Sequence, residues 1–79
     1  MIAILTQNHA IVNASNFSYI YVDKLEDDDK HYYIKIDNGF VLGQYNNAPS
    51  AIEVIDWISK SIADHHSDEN LVLSMPYTV

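Results

Sequence analysis

The densest set of side chains able to do chemistry is Asp64, His65, His66, Asp68 and Glu69. Imidazole and carboxylate groups are zinc ligands, and residues three or four apart on a helix share a face. Asp64 and Asp68 have that spacing, as do His65 and Glu69. Catalytic zinc sites also need a further ligand held by rigid structure, and adjacent histidines point about 100° apart on a helix. A polar helix C-terminus, where histidine suits the negative end of the helix dipole, accounts for the same residues. No metal site is therefore expected. A second acidic set, Asp23 with Glu26 to Asp29, has the charge to attract a hard cation. It lacks the glycine that an EF-hand loop requires at its sixth position, so it reads as a solvated turn.

Other reaction chemistries lack their parts. The two glycines, Gly39 and Gly43, are not followed by the Lys-Ser/Thr of a phosphate-binding loop. No serine sits in a nucleophile-elbow pattern. There is no cysteine, which excludes disulfides, thiolate ligands and cysteine nucleophiles. Paired carboxylates need a cleft, and one sheet with one helix offers little concavity. The expectation is a protein that is not an enzyme and carries no cofactor.

The aromatic residues are more informative. Phe17, Tyr19 and Tyr21 alternate along one segment, and Tyr33 follows on the next. Side chains on a strand have period 2, so these four are expected to share the sheet face turned away from the helix. Two readings of that face stand. Tyrosine is enriched in interaction hot spots, where it brings large contact area at low entropy cost. Cross-strand tyrosines also stabilise a half-solvated sheet, at about 0.2–1 kcal/mol per pair. Trp57, on the flank of the helix, is a second possible anchor.

The elements that must position these residues follow from the pattern. Met1 to Thr6 is an apolar run suited to a strand, and Ala10 to Val12 forms a brief second one. Phe17 to Asp23 and His31 to Asp37 alternate clearly, with Tyr32, Ile34 and Ile36 on one face. Asn38-Gly39 supplies two positive-φ positions for a hairpin turn into the strand Phe40 to Tyr45. Gly43 within that strand suggests a bulge or a close approach by the helix. Ser50 and Glu53 have capping-box spacing, which starts a helix at Ser50 that frays near His66. Ala51, Val54, Ile55, Ile58 and Ile62 form its apolar stripe, with Ile52 and Trp57 on either side. Leu71 to Met75 is a last strand, stopped by Pro76. The order is close to ββββαβ: an α+β fold of about five short strands in one antiparallel sheet packed on one helix. Ile20, Val22, Ile34, Ile36, Val41 or Leu42, Leu71 and Leu73 supply the sheet side of the core.

Composition bounds the rest. A chain of 79 residues builds one core, hence one domain over residues 1–79. So small a core is marginal alone, and without disulfides or a metal the remaining support is association, which points to a homodimer. The net charge of −7, with four lysines and no arginine, disfavours direct binding of nucleic acid or of anionic membranes. No segment approaches the ~20 apolar residues of a membrane span. The opening MIAILTQ has no basic residues and reads as a strand, not a signal peptide, so a cytoplasmic protein is expected.

The opening MIAILTQN with the following IVN, the LGQY before the helix, the Ala51/Val54/Ile58 stripe and the closing MPY resemble a group of small proteins of Gram-positive bacteria and their phages and prophages. The resemblance spans most of the chain through turn and core positions. It implies a fold and a phage or prophage context, and it brings no catalytic residues. The expected function is a non-enzymatic, self-associating protein-interaction module whose partner the residues do not identify. An alternative is an acidic mimic of nucleic acid that occupies a basic channel of a host nuclease or defence complex. It would need Asp23, Glu26 to Asp29, Glu53, Asp56 and Asp64 spaced like phosphates. A weaker alternative is a small metal-binding protein using Asp64 to Glu69.

Overall fold

Tyr32, Ile34 and Ile36 alternate with Tyr33 and Lys35, and this segment becomes the central strand of a three-stranded antiparallel sheet. The computed structural model describes residues 1–24, 30–37, 39–65 and 70–77. Among the described residues, six strands and one helix run in the order β1 (Ile2–Leu5), β2 (Ile11–Asn13), β3 (Ile20–Lys24), β4 (Tyr32–Ile36), β5 (Phe40–Tyr45), α1 (Ala48–Ala63) and β6 (Leu71–Ser74). The α+β class and the single helix stand as expected. The single antiparallel sheet does not: there are two sheets, β3-β4-β5 and β2-β1-β6, and β1 pairs with β6 in parallel. A parallel pair cannot be joined by a tight turn, and β1 and β6 are connected only through the long intervening chain that holds β2 to β5 and the helix.

Helix α1 lies on β3, β4 and β5 through buried Ala51, Val54 and Ile58. It begins before Ser50. Asn47 is the N-cap, with extended backbone and its Oδ1 accepting from the Ser50 N–H at 2.9 Å. Ala48 and Pro49 are already helical, and proline in the first turn loses no bond because its N–H would have no partner there. The capping box at Ser50 and Glu53 is thereby replaced by an Asn47 cap. The helix stops at Ala63, with the Asp64 N–H on the Lys60 carbonyl at 3.0 Å.

One buried cluster joins the two sheets. Ile4, Leu73 and Met75 meet Ile34, Ile36, Leu42 and Tyr45, with Ile20, Val22 and Leu71 partly buried against it. Between Val41 and Gly43 the register with β4 slips by one residue, so Leu42 is the bulged residue and turns inward. Gly43 is close to Gln7, not to the helix: a Cβ there would stand 3.1 Å from Gln7 Cδ. Gln7 ties the sheets together. Its Oε1 accepts from the Gln44 N–H at 2.7 Å, and its Nε2 donates to the Pro76 carbonyl at 2.8 Å. Its own N–H donates to the Leu42 carbonyl and its carbonyl accepts from the Tyr77 hydroxyl. The amide side chain thus occupies part of the outer edge of β5 as a neighbouring strand would.

Candidate functional site

The register of β3 on β4 sets Tyr21 opposite Lys35 and Asp23 opposite Tyr33. These four project from the sheet face opposite α1, since their neighbours Val22, Ile34 and Ile36 turn to the core. Tyr19 joins them from the segment leading into β3. Its ring centroid lies 5.4 Å from that of Tyr21, and it is 56% exposed. Asp37 fixes that lead-in: its Oδ1 accepts from the backbone N–H groups of Ser18 and Tyr19 at 2.8 and 3.1 Å. Its own N–H donates to the Tyr19 carbonyl. Asp37 has a positive φ of 45° and Gly39 one of 93°, and the Gly39 N–H closes on the Ile36 carbonyl. The hairpin turn is therefore entered at Asp37, one residue earlier than the Asn-Gly pattern suggests; Asn38 lies outside the described residues.

A charge pair sits among the rings. Lys35 Nζ is 2.6 Å from Asp23 Oδ2 and 5.8 Å from the Tyr33 ring centroid. The hydrogen bond from Lys35 holds the Asp23 carboxyl below its ordinary range, against a smaller opposing effect of burial. The same bond raises the Lys35 ammonium, and Tyr21 and Tyr33 add to that in a minor way. The outcome is a tyrosine surface with the Lys35–Asp23 ion pair in it, able to offer rings, hydroxyls and a paired charge.

Of the four residues expected on the tyrosine face, Phe17 lies elsewhere. Phe17 precedes β3, so the two-residue period does not carry back to it, and its ring turns to the helix side. There it lines an open groove of about 290 Å³ with Ile20, Ile55, Ile58, Ser59 and Ile62. Trp57 is exposed on the helix, across the sheet from the tyrosines. Comparisons with family models, curated proteins and solved structures give no match. The site must be read from its own geometry.

Among the described residues the groove is lined by apolar side chains and Ser59, with no titratable group. Among the described residues no three His, Asp or Glu side chains gather as metal ligands. His66 to Glu69 and the acidic turn Glu26 to Asp29 lie outside the described residues. Of the charges a nucleic-acid mimic needs, Asp23 is paired with Lys35. Glu53 and Asp56 are exposed on the helix and Asp64 at its C-cap, with Lys60 among them. Among the described residues no helix is long and apolar enough to cross a membrane.

A second surface escaped the pattern reading. On β2-β1-β6, Ile4, Val12 and Leu73 face the core, so Ala3, Leu5, Ile11 and Val72 face outward. Ile11 is 77% exposed and Val72 63%. The signal that finds this face is a distribution: none of the 11 acidic or 4 basic residues falls in 1–22 or 70–79.

Proposed function

We propose that the chain is a small non-enzymatic protein-interaction module of phage or prophage type, self-associating, that presents the tyrosine face of β3-β4-β5 to another protein. One observation carries this reading: Tyr19, Tyr21 and Tyr33 gather on the sheet face away from the helix, around the Lys35–Asp23 pair. Strand pairing and the Asp37 bonds hold these rings in place, which limits the entropy lost on docking. The ion pair gives the surface direction, because a partner must meet Asp23 and Lys35 with the opposite order of charge. The phage or prophage context is supported by the sequence resemblance.

The test is cross-linking capture from host cells with the wild type and with Tyr21→Ala, Tyr33→Ala and Trp57→Ala. The first two are expected to keep the fold and lose the captured protein, each by about tenfold or more, as hot-spot tyrosines do. Trp57→Ala, on the far side, is expected to retain it. Capture of the same protein at the same yield by both tyrosine variants would remove the tyrosine face as the docking surface.

A further inference from the structure

We infer that the outer face of β2-β1-β6 is the contact between two copies of this chain, stacked sheet on sheet about a two-fold axis. This rests on the self-association part of the reading above and assigns it a surface away from the tyrosines. Three observations lead to it. The face is apolar and carries three exposed side chains: Ile11, Val72 and Met1 are 77%, 63% and 58% exposed, with partly buried Leu5 and buried Ala3 between them. In the register Ala3 lies between Asn13 and Val72, and Leu5 between Ile11 and Ser74. The apolar residues therefore form a diagonal from Ile11 through Leu5 and Ala3 to Val72. Ala3, only 4% exposed, is the floor of that diagonal, and its neighbours on either side stand above it.

The second observation is charge. All 15 charged side chains lie in 23–69, so the segments that build this sheet contribute none. Interface cores are depleted of charge, and two copies each of net charge −7 can approach only where that charge is absent. A basic partner would find no acidic group to meet on this sheet.

The third is area. Ile11, Val72 and Met1 together leave roughly 400 Å² of surface per copy at their exposures. With Leu5 and the polar rim of Asn13 and Ser74, two stacked copies remove roughly 1,000 Å² in total, the lower bound of a specific interface. Edge pairing through β6 alone would leave Ile11 in water, because β2 and β6 lie on opposite sides of β1. Only a contact over the face covers both, and an identical face supplies the matching surface.

Light scattering over a concentration and salt series tests this on the full chain. The wild type is expected to dimerise, with affinity unchanged or tighter at high salt, since screening removes only the repulsion between like charges. The double variant Ile11→Lys/Val72→Lys changes exposed positions and is expected to keep its circular dichroism while dimerising at least ~100-fold more weakly, a factor of about ten per lost apolar side chain. Should it not fold, Ile11→Ser/Val72→Thr serves in its place. Tyr21→Ala and Tyr33→Ala are expected to stay dimeric. A monomeric wild type, a dimer that survives the double variant, or a dimer lost in the tyrosine variants overturns the assignment. Failure of capture by the tyrosine face with the dimer intact removes that docking surface alone.

Discussion

Replacing Tyr45 with phenylalanine removes one hydroxyl from the seam between the two sheets, and its effect should change sign with pH. The ring is buried, and its hydroxyl donates to the Pro76 carbonyl at 2.6 Å. Burial, partly offset by a hydrogen bond from Gln7, pushes the phenol up to about 12 from an ordinary 10.0. The folded state thus favours the neutral ring. Below pH 10 its contribution is complete. Between pH 10 and 12 the unfolded chain ionises first, binds fewer protons than the folded one, and stability falls. Above pH 12 both states are ionised and the contribution is gone. Two pH units at 1.36 kcal/mol each make the loss about 2–3 kcal/mol. Tyr45→Phe forfeits one neutral hydrogen bond, about 1 kcal/mol, at every pH, while the Pro76 carbonyl keeps its bond from Gln7. Near pH 8 the wild type should be more stable by about 1 kcal/mol; near pH 12 the variant should be more stable by about 1–2 kcal/mol. Urea unfolding at stepped pH measures both, and subtracting one curve from the other cancels the remaining tyrosines. A difference that stays constant from pH 8 to pH 12 would refute the argument.

Two further outcomes follow from the same seam and from the helix cap. Gly43→Ala places a Cβ 3.1 Å from Gln7 Cδ and 3.2 Å from Tyr45 Oη. Hydrogen bonds hold both groups, so the cost should be about 1–2 kcal/mol. The cost should shrink in a Gln7→Ala background, and a fully additive double mutant in urea titration would exclude the contact as its cause. Asn47→Ala should cost about 1 kcal/mol of thermal stability and Ser50→Ala less than about 0.5 kcal/mol, because Asn47 holds the cap. The reverse ranking would return the helix start to Ser50.

What could be read from the chain was whatever local periodicity controls. Ile34 and Ile36 alternate with Tyr33 and Lys35, so the face of β4 followed from the pleat, and with it the grouping of Tyr21 and Tyr33. The Ala51, Val54 and Ile58 stripe placed the helix face in the same way. Phe17 misled because alternation ends where the strand ends, at Ile20, and nothing in its own neighbours marks that end. Ser50 misled because Asn47, just before Ala48-Pro49, caps as well and needs no glutamate. The second sheet was hidden for a different reason. Nothing local says that Ile4 lies beside Leu73, or that the amide of Gln7 reaches Gln44 and Pro76. Those contacts join distant parts of the chain, and short apolar runs fit one sheet as well as two.

The parallel pairing of β1 with β6 also sets an order of events. The elements β3, β4, β5 and α1 are neighbours along the chain, so their contacts close short loops and can form early. Leu71 and Met75 must instead find Met1 and Leu5 across nearly the whole described sequence. During synthesis β1 emerges first of the described elements, and its parallel partner emerges last of them. Its apolar residues therefore wait, half-paired with β2 alone, while the rest of the chain is made. Of the strands described, the one made first is the last to be enclosed, which leaves its apolar residues open to wrong partners until β6 arrives.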